Sequence, residues 1–206
     1  MTRIISGKAR GRRLAVPASG TRPTADRIRE SLFASVDSRL LSTGRGWADI
    51  STCDLWAGSG AVALEAWSRG SGRVLAVDKA RHAVETISAN VDALGAGQCV
   101  DVRRADVRSL VKAPPPGGAF DLVFADPPYE YPNPSLQTDL ANALASGWCA
   151  PGAFVVVERS AVRSGDPSDS REPFPEGVEL LDRRTYGDTV LWYGQVHEAR
   201  EGEPRL

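Results

Sequence analysis

Along this chain of 206 residues, apolar positions switch between two rhythms, and the switches predict the layout. Short, largely apolar runs of strand length stand at 53–55, 73–78, 120–126 and 153–158. Between them, apolar residues recur at helical spacing. One helix is expected from about Ala61 to Arg69, stopped by Gly70. A second carries Val84, Ile87, Val91 and Leu94 on one face and closes at Gly95. A third, with Leu136, Leu140 and Leu144, lies between Pro134 and Gly147. Val100 and Val102 alternate with Asp101 and Arg103 in a weaker strand leading to Asp106, and Ala113 to Gly118 reads as a connector. This alternation predicts an α/β fold: a mostly parallel sheet with crossover helices. Val178 to Tyr186 and Thr189 to Val196, joined across Gly187-Asp188, predict a closing antiparallel hairpin. The stretch from Ser160 to Gly177 is polar and holds Pro167, Pro173 and Pro175, so it reads as a long exposed loop.

The first 46 residues keep a different rhythm. Arg3-Ile4-Ile5 and Arg13-Leu14-Ala15-Val16 flank a segment with Gly7 and Gly11, predicting a small hairpin. Pro23 and Thr24 then introduce a helix, with Thr24 as its expected N-cap. Ile28, Leu32, Phe33, Val36 and Leu40 form its apolar face, and Ser42 to Gly46 ends it. The reading is therefore an N-terminal extension over 1–46, a main domain over 47–197 and a frayed tail over 198–206.

Composition narrows the class. Hydrophobic content of 42% and charged content of 25% are those of a globular protein. No apolar run reaches the ~18 residues a membrane span needs, and the N-terminus lacks a signal peptide's apolar core. A cytoplasmic location and no membrane partner are expected. Cys53, Cys99 and Cys149 form no CxxC, and His82 and His197 are the only histidines, so buried free thiols and no metal site are expected. The net charge of −1 hides an asymmetry. Residues 1–30 carry Arg3, Lys8, Arg10, Arg12, Arg13, Arg22, Arg27 and Arg29 against Asp26 and Glu30 alone. Such an end is suited to a polyanion such as RNA; a merely solvated basic terminus is the plainer alternative.

The candidate chemistry centres on Asp54-Leu55-Trp56-Ala57-Gly58-Ser59-Gly60. A strand ending in a carboxylate, two glycines and a following helix are the grammar of a nucleotide-binding α/β unit, where glycine lets backbone approach a ligand. Gly58 to Ala63 also satisfies the G-x-G-x-x-G/A pattern of dinucleotide sites. Asp54, Asp78, Asp106 and Asp126 each end or follow an expected strand, so all four are expected at the ligand edge of the sheet. Four acids there suit a ligand with positive charge and donors better than a pyrophosphate. S-adenosylmethionine, with an ammonium, a sulfonium and a ribose diol, is such a ligand. Asp78 is placed to accept the diol. In Asp126-Pro127-Pro128-Tyr129, two prolines hold a carboxylate and a carbonyl as neighbouring acceptors. Two acceptors suit an exocyclic amine, and Tyr129 offers a face on which an extruded base can stack.

These two motifs together resemble class I, S-adenosylmethionine-dependent methyltransferases that act on exocyclic amines. Arg3-Ile4-Ile5-Ser6-Gly7-Lys8, Arg10-Gly11-Arg12 and Arg22-Pro23-Thr24-Ala25-Asp26-Arg27-Ile28-Arg29-Glu30 narrow the resemblance. They are similar to the bacterial small-subunit ribosomal RNA guanine-N2 methyltransferase family, methyltransferase D. That resemblance implies a Rossmann-like, seven-stranded, mostly parallel sheet with helices on both faces and a closing antiparallel hairpin. It also implies methyl transfer to a guanine 2-amino group of small-subunit rRNA, in an assembled or assembling subunit with its ribosomal proteins. By this reading Asp54, Ala57, Gly58, Gly60, Asp78, Asp106 and Asp126 hold the cofactor. Asp126, Pro127, Pro128 and Tyr129 serve catalysis, and the eight N-terminal cations meet RNA. Trp56 stands where phenylalanine is common, and the polar 160–177 loop departs from the pattern. Other readings are an exocyclic-amine methyltransferase for another base or nucleic acid, a dinucleotide-dependent oxidoreductase using Gly58 to Ala63 with Asp78, and an inactive RNA-binding module.

Overall fold

In the computed structural model, described over residues 2–16, 26–161 and 172–198, the core is one seven-stranded sheet. Its strands are β3 (Ser51–Leu55), β4 (Arg73–Asp78), β5 (Val100–Arg104), β6 (Phe120–Ala125), β7 (Cys149–Ser160), β8 (Val178–Tyr186) and β9 (Thr189–Val196), in the order β5-β4-β3-β6-β7-β9-β8. Strands β3 to β7 pair in parallel, whereas β9 runs antiparallel to both β7 and β8. The chain moves outward from β3 through β4 to β5, then returns to lay β6 on β3's other side. The order therefore reverses between β3 and β6. A crevice forms at the strands' carboxyl ends at such a reversal.

Helices α2 (Ala61–Arg69), α3 (Arg81–Leu94) and α5 (Asn133–Ala145) match the apolar periodicity, and a short α4 (Val107–Leu110) is added after β5. The pleat assigns the two faces. Cys53, Leu55, Val123, Ala125, Val155 and Val157 pack against Val107 of α4 and Leu136, Leu140 and Ala143 of α5. Leu122, Phe124, Phe154 and Val156 face the other way, onto Leu32, Phe33 and Val36 of α1 (Asp26–Ser42). Helices α2 and α3 cover the same side over β4.

The N-terminal hairpin is reduced to β1 (Thr2–Arg3) and β2 (Arg13–Leu14), yet it is built into the core. Ile4, Ala9 and Leu14 pack with Leu64, Trp67 and Ile87. Glu65 of α2, wholly buried, accepts the amide hydrogens of Ile5 at 2.7 Å and Ser6 at 2.9 Å. A Cβ on Gly7 (φ +82°) would stand 1.9 Å from the Ser68 carbonyl oxygen, so only glycine permits this approach.

Three expectations need amendment. Strand β7 starts at Cys149 rather than Ala153, extending along β6 through a register shift between Phe120 and Leu122. The far end of the 160–177 loop is not exposed, because Phe174 is buried against β9's Trp192 and Val190 in the core. A 3-10 turn at Trp47–Asp49, absent from the periodicity, leads into β3. Residues 162–171, Pro23 with the Thr24 cap, and the tail from 199 lie outside the described residues.

Candidate active site

Strand β3 delivers Asp54 into the interior, 1% exposed. The chain then turns through Trp56 (φ +62°), Gly58 (φ +57°) and Gly60 (φ +75°) before α2 begins. Gly60, the helix N-cap, has no side chain to satisfy the first-turn amides. Asp54 does so from the strand, its Oδ2 accepting the Ala63 amide hydrogen at 3.0 Å. Burial pushes the Asp54 carboxyl up to about 7, with Asp78 and Glu158 adding to the rise and the Ala63 amide opposing it. Asp78, the last residue of β4, accepts the Gly58 amide hydrogen at 2.9 Å through Oδ2 and the Ala80 amide hydrogen at 2.8 Å through Oδ1. Trp56, a bulky residue in the left-handed region, is held there by an edge-on contact with Tyr131 at 5.6 Å.

Asp126 leaves the end of β6, its amide donating to the Leu55 carbonyl at 3.3 Å. Its carboxyl is pushed well above the usual carboxylate range by burial, then by Glu158 and Asp54, with Arg159 opposing. Pro127 and Pro128 follow, and the Tyr131 amide closes a turn onto the Pro128 carbonyl at 2.8 Å. Tyr129 projects from this turn and is 45% exposed.

The two motifs meet at a cavity of about 410 Å³ at the β3/β6 reversal, within the range of small-ligand sites. Asp54, Ala57, Gly58 and Asp78 form one wall; Asp126, Pro127, Pro128 and Tyr129 form the other. Trp56, Lys79, His82 and Glu130 also line it, and sequence reasoning did not assign them. Lys79 directly follows Asp78 and His82 lies in the first turn of α3, so their closeness to the acid was the available signal.

Two expected cofactor residues are not on this cavity. Asp106 caps the short α4 with its backbone carbonyl, accepting from Ser109 and Leu110, because β5 stops at Arg104 near the sheet's edge. Gly60 is packed rather than open, since a Cβ there would meet Ile87 Cγ2 at 3.0 Å. Its glycine is required by the turn and by α3. The dinucleotide pattern is weakened at one of its anion-binding amides. The Ala63 amide at the α2 N-terminus, where a pyrophosphate would dock, is already bonded to a buried carboxylate.

Of the expected RNA contacts, Lys8, Arg10, Arg13 and Arg27 are exposed. Arg3 is exposed beside Asp26 at 3.5 Å, and exposed Arg12 donates to the Ala93 carbonyl at 2.8 Å. Arg22 lies outside the described residues. Arg29 must be withdrawn. It is 0% exposed, and its guanidinium donates to the Arg3 carbonyl at 2.6 Å and to Asp26 at 2.9 Å. Burial even lowers its affinity for a proton. It fastens α1 to the hairpin, so no phosphate can reach it. Among the described residues no group of three or more His, Cys, Asp or Glu could hold a metal ion, and no helix is long and apolar enough to cross a membrane.

A seven-stranded sheet with this strand order, an acid-lined cavity at its reversal and an Asp-Pro-Pro-Tyr wall define a class I methyltransferase fold. A solved putative methyltransferase from Escherichia coli superimposes with a TM-score of 0.78 at 27% identity, over 96% of this chain and 99% of that one. The chain belongs to the family described as Conserved hypothetical protein 95, which matches residues 2–195. Ribosomal RNA small subunit methyltransferase D of Escherichia coli (strain K12) is 35% identical over 168 residues, 81% of this chain and 78% of the relative. Its namesake from Haemophilus influenzae is 30% identical over 189 residues, 90% of this chain and 89% of the relative.

Proposed function

We propose that this protein transfers a methyl group from S-adenosylmethionine to the exocyclic N2 amine of a guanine in small-subunit ribosomal RNA. The observation that carries the reading is the single cavity shared by the Asp54/Asp78 wall and the Asp126-Pro127-Pro128-Tyr129 wall. The donor set suits the cofactor: Asp54 and Asp78 offer carboxyl oxygens to an ammonium and a ribose diol, and Gly58 lies in the cavity wall without a side chain. Bound there, S-adenosylmethionine supplies an electrophilic methyl group on a positively charged sulfur.

The protein's own contribution is to the base. A guanine amine is a poor nucleophile, because its lone pair is drawn into the ring. Asp126 and the Pro127 carbonyl accept its two hydrogens and hold the nitrogen facing the cavity. Exposed Tyr129 provides the stacking surface for a base taken out of its helix. Acceleration then comes from orientation and fixed electrostatics rather than from an acid for the leaving group. The amine gives up one hydrogen as a proton when its nitrogen gains the methyl. Asp126 takes this proton in the present reading, which its raised proton affinity supports. Exposed Lys8, Arg10, Arg12 and Arg13 on the N-terminal hairpin supply the phosphate contacts.

Tritiated-methyl transfer into small ribosomal subunits from cells lacking this activity, followed by mapping of the labelled base, tests the reading. Label in one guanine as the N2-methyl derivative is expected. Label in another base or only in naked nucleic acid would revise the substrate. Calorimetric binding of NAD but not S-adenosylhomocysteine would replace the reading with an oxidoreductase.

A further inference from the structure

The Asp126 to Tyr129 segment has an unusual mechanical problem. Pro127 and Pro128 carry no amide hydrogen, so the sheet has no backbone donor by which to hold them. The segment's backbone bonds include those of the Asp126 amide to Leu55 and of the Tyr131 amide to Pro128. The prolines leave carbonyl acceptors that a donor from outside the segment can hold.

Strand β7 supplies it. Arg159, only 5% exposed, reaches across from the neighbouring strand. Its Nη2 donates to the Tyr131 carbonyl at 2.6 Å and its Nη1 to the Pro128 carbonyl at 3.4 Å. One rigid, planar fork thus spans both ends of the turn that bears Tyr129. Tyr131 is fixed again at its far end, where its hydroxyl donates to Asp139 of α5 and its ring meets Trp56. The same guanidinium is the cation that opposes Glu158 and Asp54 at the Asp126 carboxyl.

We propose that Arg159 is a positioning residue for the transfer, clamping the Pro128–Tyr131 turn so that Asp126 and Tyr129 are presented to the incoming base. The proposal rests on the function given above for its catalytic consequence, but the clamp itself has a readout that needs no activity. The full-length protein is compared with Arg159→Met, which keeps the stem and removes the fork, and with Arg159→Lys, which keeps the charge and loses the fork.

Hydrogen exchange at the Tyr131 amide, which is bonded to the Pro128 carbonyl, should quicken in both variants, while exchange in β4 and α3 stays as in the wild type. Turnover on small subunits at saturating cofactor should fall about 10- to 100-fold in Met and less in Lys, the scale of a misplaced reacting group. S-adenosylhomocysteine affinity should stay within about twofold, since its wall is built from β3 and β4. The pH profile separates charge from geometry. The charged groups facing Asp126 are Asp54 from β3 and Glu158 and Arg159 from β7, with Asp78, Lys79, His82 and Glu130 around the same cavity. Removing the Arg159 cation raises the Asp126 proton affinity, so the acid limb of the rate profile should move to higher pH in Met and hold in Lys.

Unchanged exchange at the Tyr131 amide in both variants would overturn the clamp. A fall in turnover matched by equal falls in cofactor affinity and melting temperature would reduce Arg159 to a structural role and overturn it too. If Met does not fold, Lys alone decides by the same readings. If the wild type transfers no methyl yet both variants quicken exchange at the turn, the clamp stands and the proposed function falls.

Discussion

Gly58 gives its amide hydrogen to the Asp78 carboxylate across 2.9 Å, which makes the glycine turn after β3 and the end of β4 a single unit. The other Asp78 oxygen holds the Ala80 amide at 2.8 Å, so one carboxylate orders both the turn and the entry to α3. Asp78 is only half-buried, and its oxygens keep lone pairs for a ligand.

Asp78→Ala should therefore weaken cofactor binding by about 1.5–3 kcal/mol, the scale of a charge-assisted hydrogen bond. Calorimetry with S-adenosylhomocysteine measures it. Asp78→Asn should fall between, because one oxygen remains to hold Gly58. Wild-type affinity in Ala would remove Asp78 from the site.

Asp54 links the site to stability through pH. Its folded-state carboxyl titrates near 7 against an ordinary 3.8, so the folded chain keeps a proton that the unfolded chain releases between those values. Stability is lost as pH rises across this window and is level above it, by about 4 kcal/mol at 1.36 kcal/mol per pH unit. Asp54→Asn cannot ionise, yet its amide oxygen can still accept from Ala63. In urea denaturation without cofactor, the Asn variant should gain on the wild type from pH 4 to pH 8. A gap that is constant with pH would show that Asp54 does not titrate in this range.

At Asp126 the requirement is an acceptor oxygen held by two prolines. Asp126→Ala should cost roughly 3–4 kcal/mol in the transition state, the scale of one preorganised electrostatic partner. Asp126→Asn should retain measurable transfer and lose the acid limb that the raised carboxyl gives the wild type. Single-turnover assays at saturating cofactor rank the three. Equal loss in Asn and Ala would show that the charge of Asp126 or its uptake of the proton, rather than its acceptor oxygen, limits transfer.

The N-terminal cations divide by burial. Arg10→Ala and Arg13→Ala should each flatten the slope of log affinity against log salt by about 0.7–0.9 for every phosphate no longer neutralised, with little change in melting. Buried Arg29→Met should do the reverse, lowering the melting temperature and sparing the salt slope. Filter binding across a salt series distinguishes them. A slope change in Arg29→Met equal to that in Arg10→Ala would restore Arg29 as a phosphate ligand.

Removal of residues 1–16 is expected to damage more than RNA binding. It takes both amide donors from buried Glu65 and strips Ile4 and Leu14 from the core. Each apolar side chain is worth about 1.5–3 kcal/mol, and an orphaned buried acceptor adds about 1–3 kcal/mol. Against a total stability of about 5–15 kcal/mol, the truncated chain should melt early and bind cofactor poorly. Calorimetric cofactor binding at wild-type strength after truncation would show that the hairpin is dispensable to the core.

What the chain encodes within a few residues was readable from it alone. Gly60 and Gly70 bracket α2, Gly95 closes α3, and Gly187-Asp188 joins β8 to β9, because backbone conformation at these positions depends on the residue itself and its immediate neighbours. Asp54 and the Asp126-Pro127-Pro128-Tyr129 motif were legible for the same reason: strand ends and prolines announce themselves locally. Only the tertiary structure decided which groups meet. Arg29 and Arg27 stand two apart on one helix and look alike in sequence. Packing against the hairpin buries the first and leaves the second in water. Asp106 follows a strand as Asp78 does, but β5 lies at the sheet's edge, away from the reversal between β3 and β6. Arg159 reaches carbonyls 28 and 31 positions back along the chain, and Glu65 reaches amides 59 and 60 positions back. Such pairings depend on strand order and on the side of the sheet each helix covers, which no local rhythm of apolar and polar residues contains.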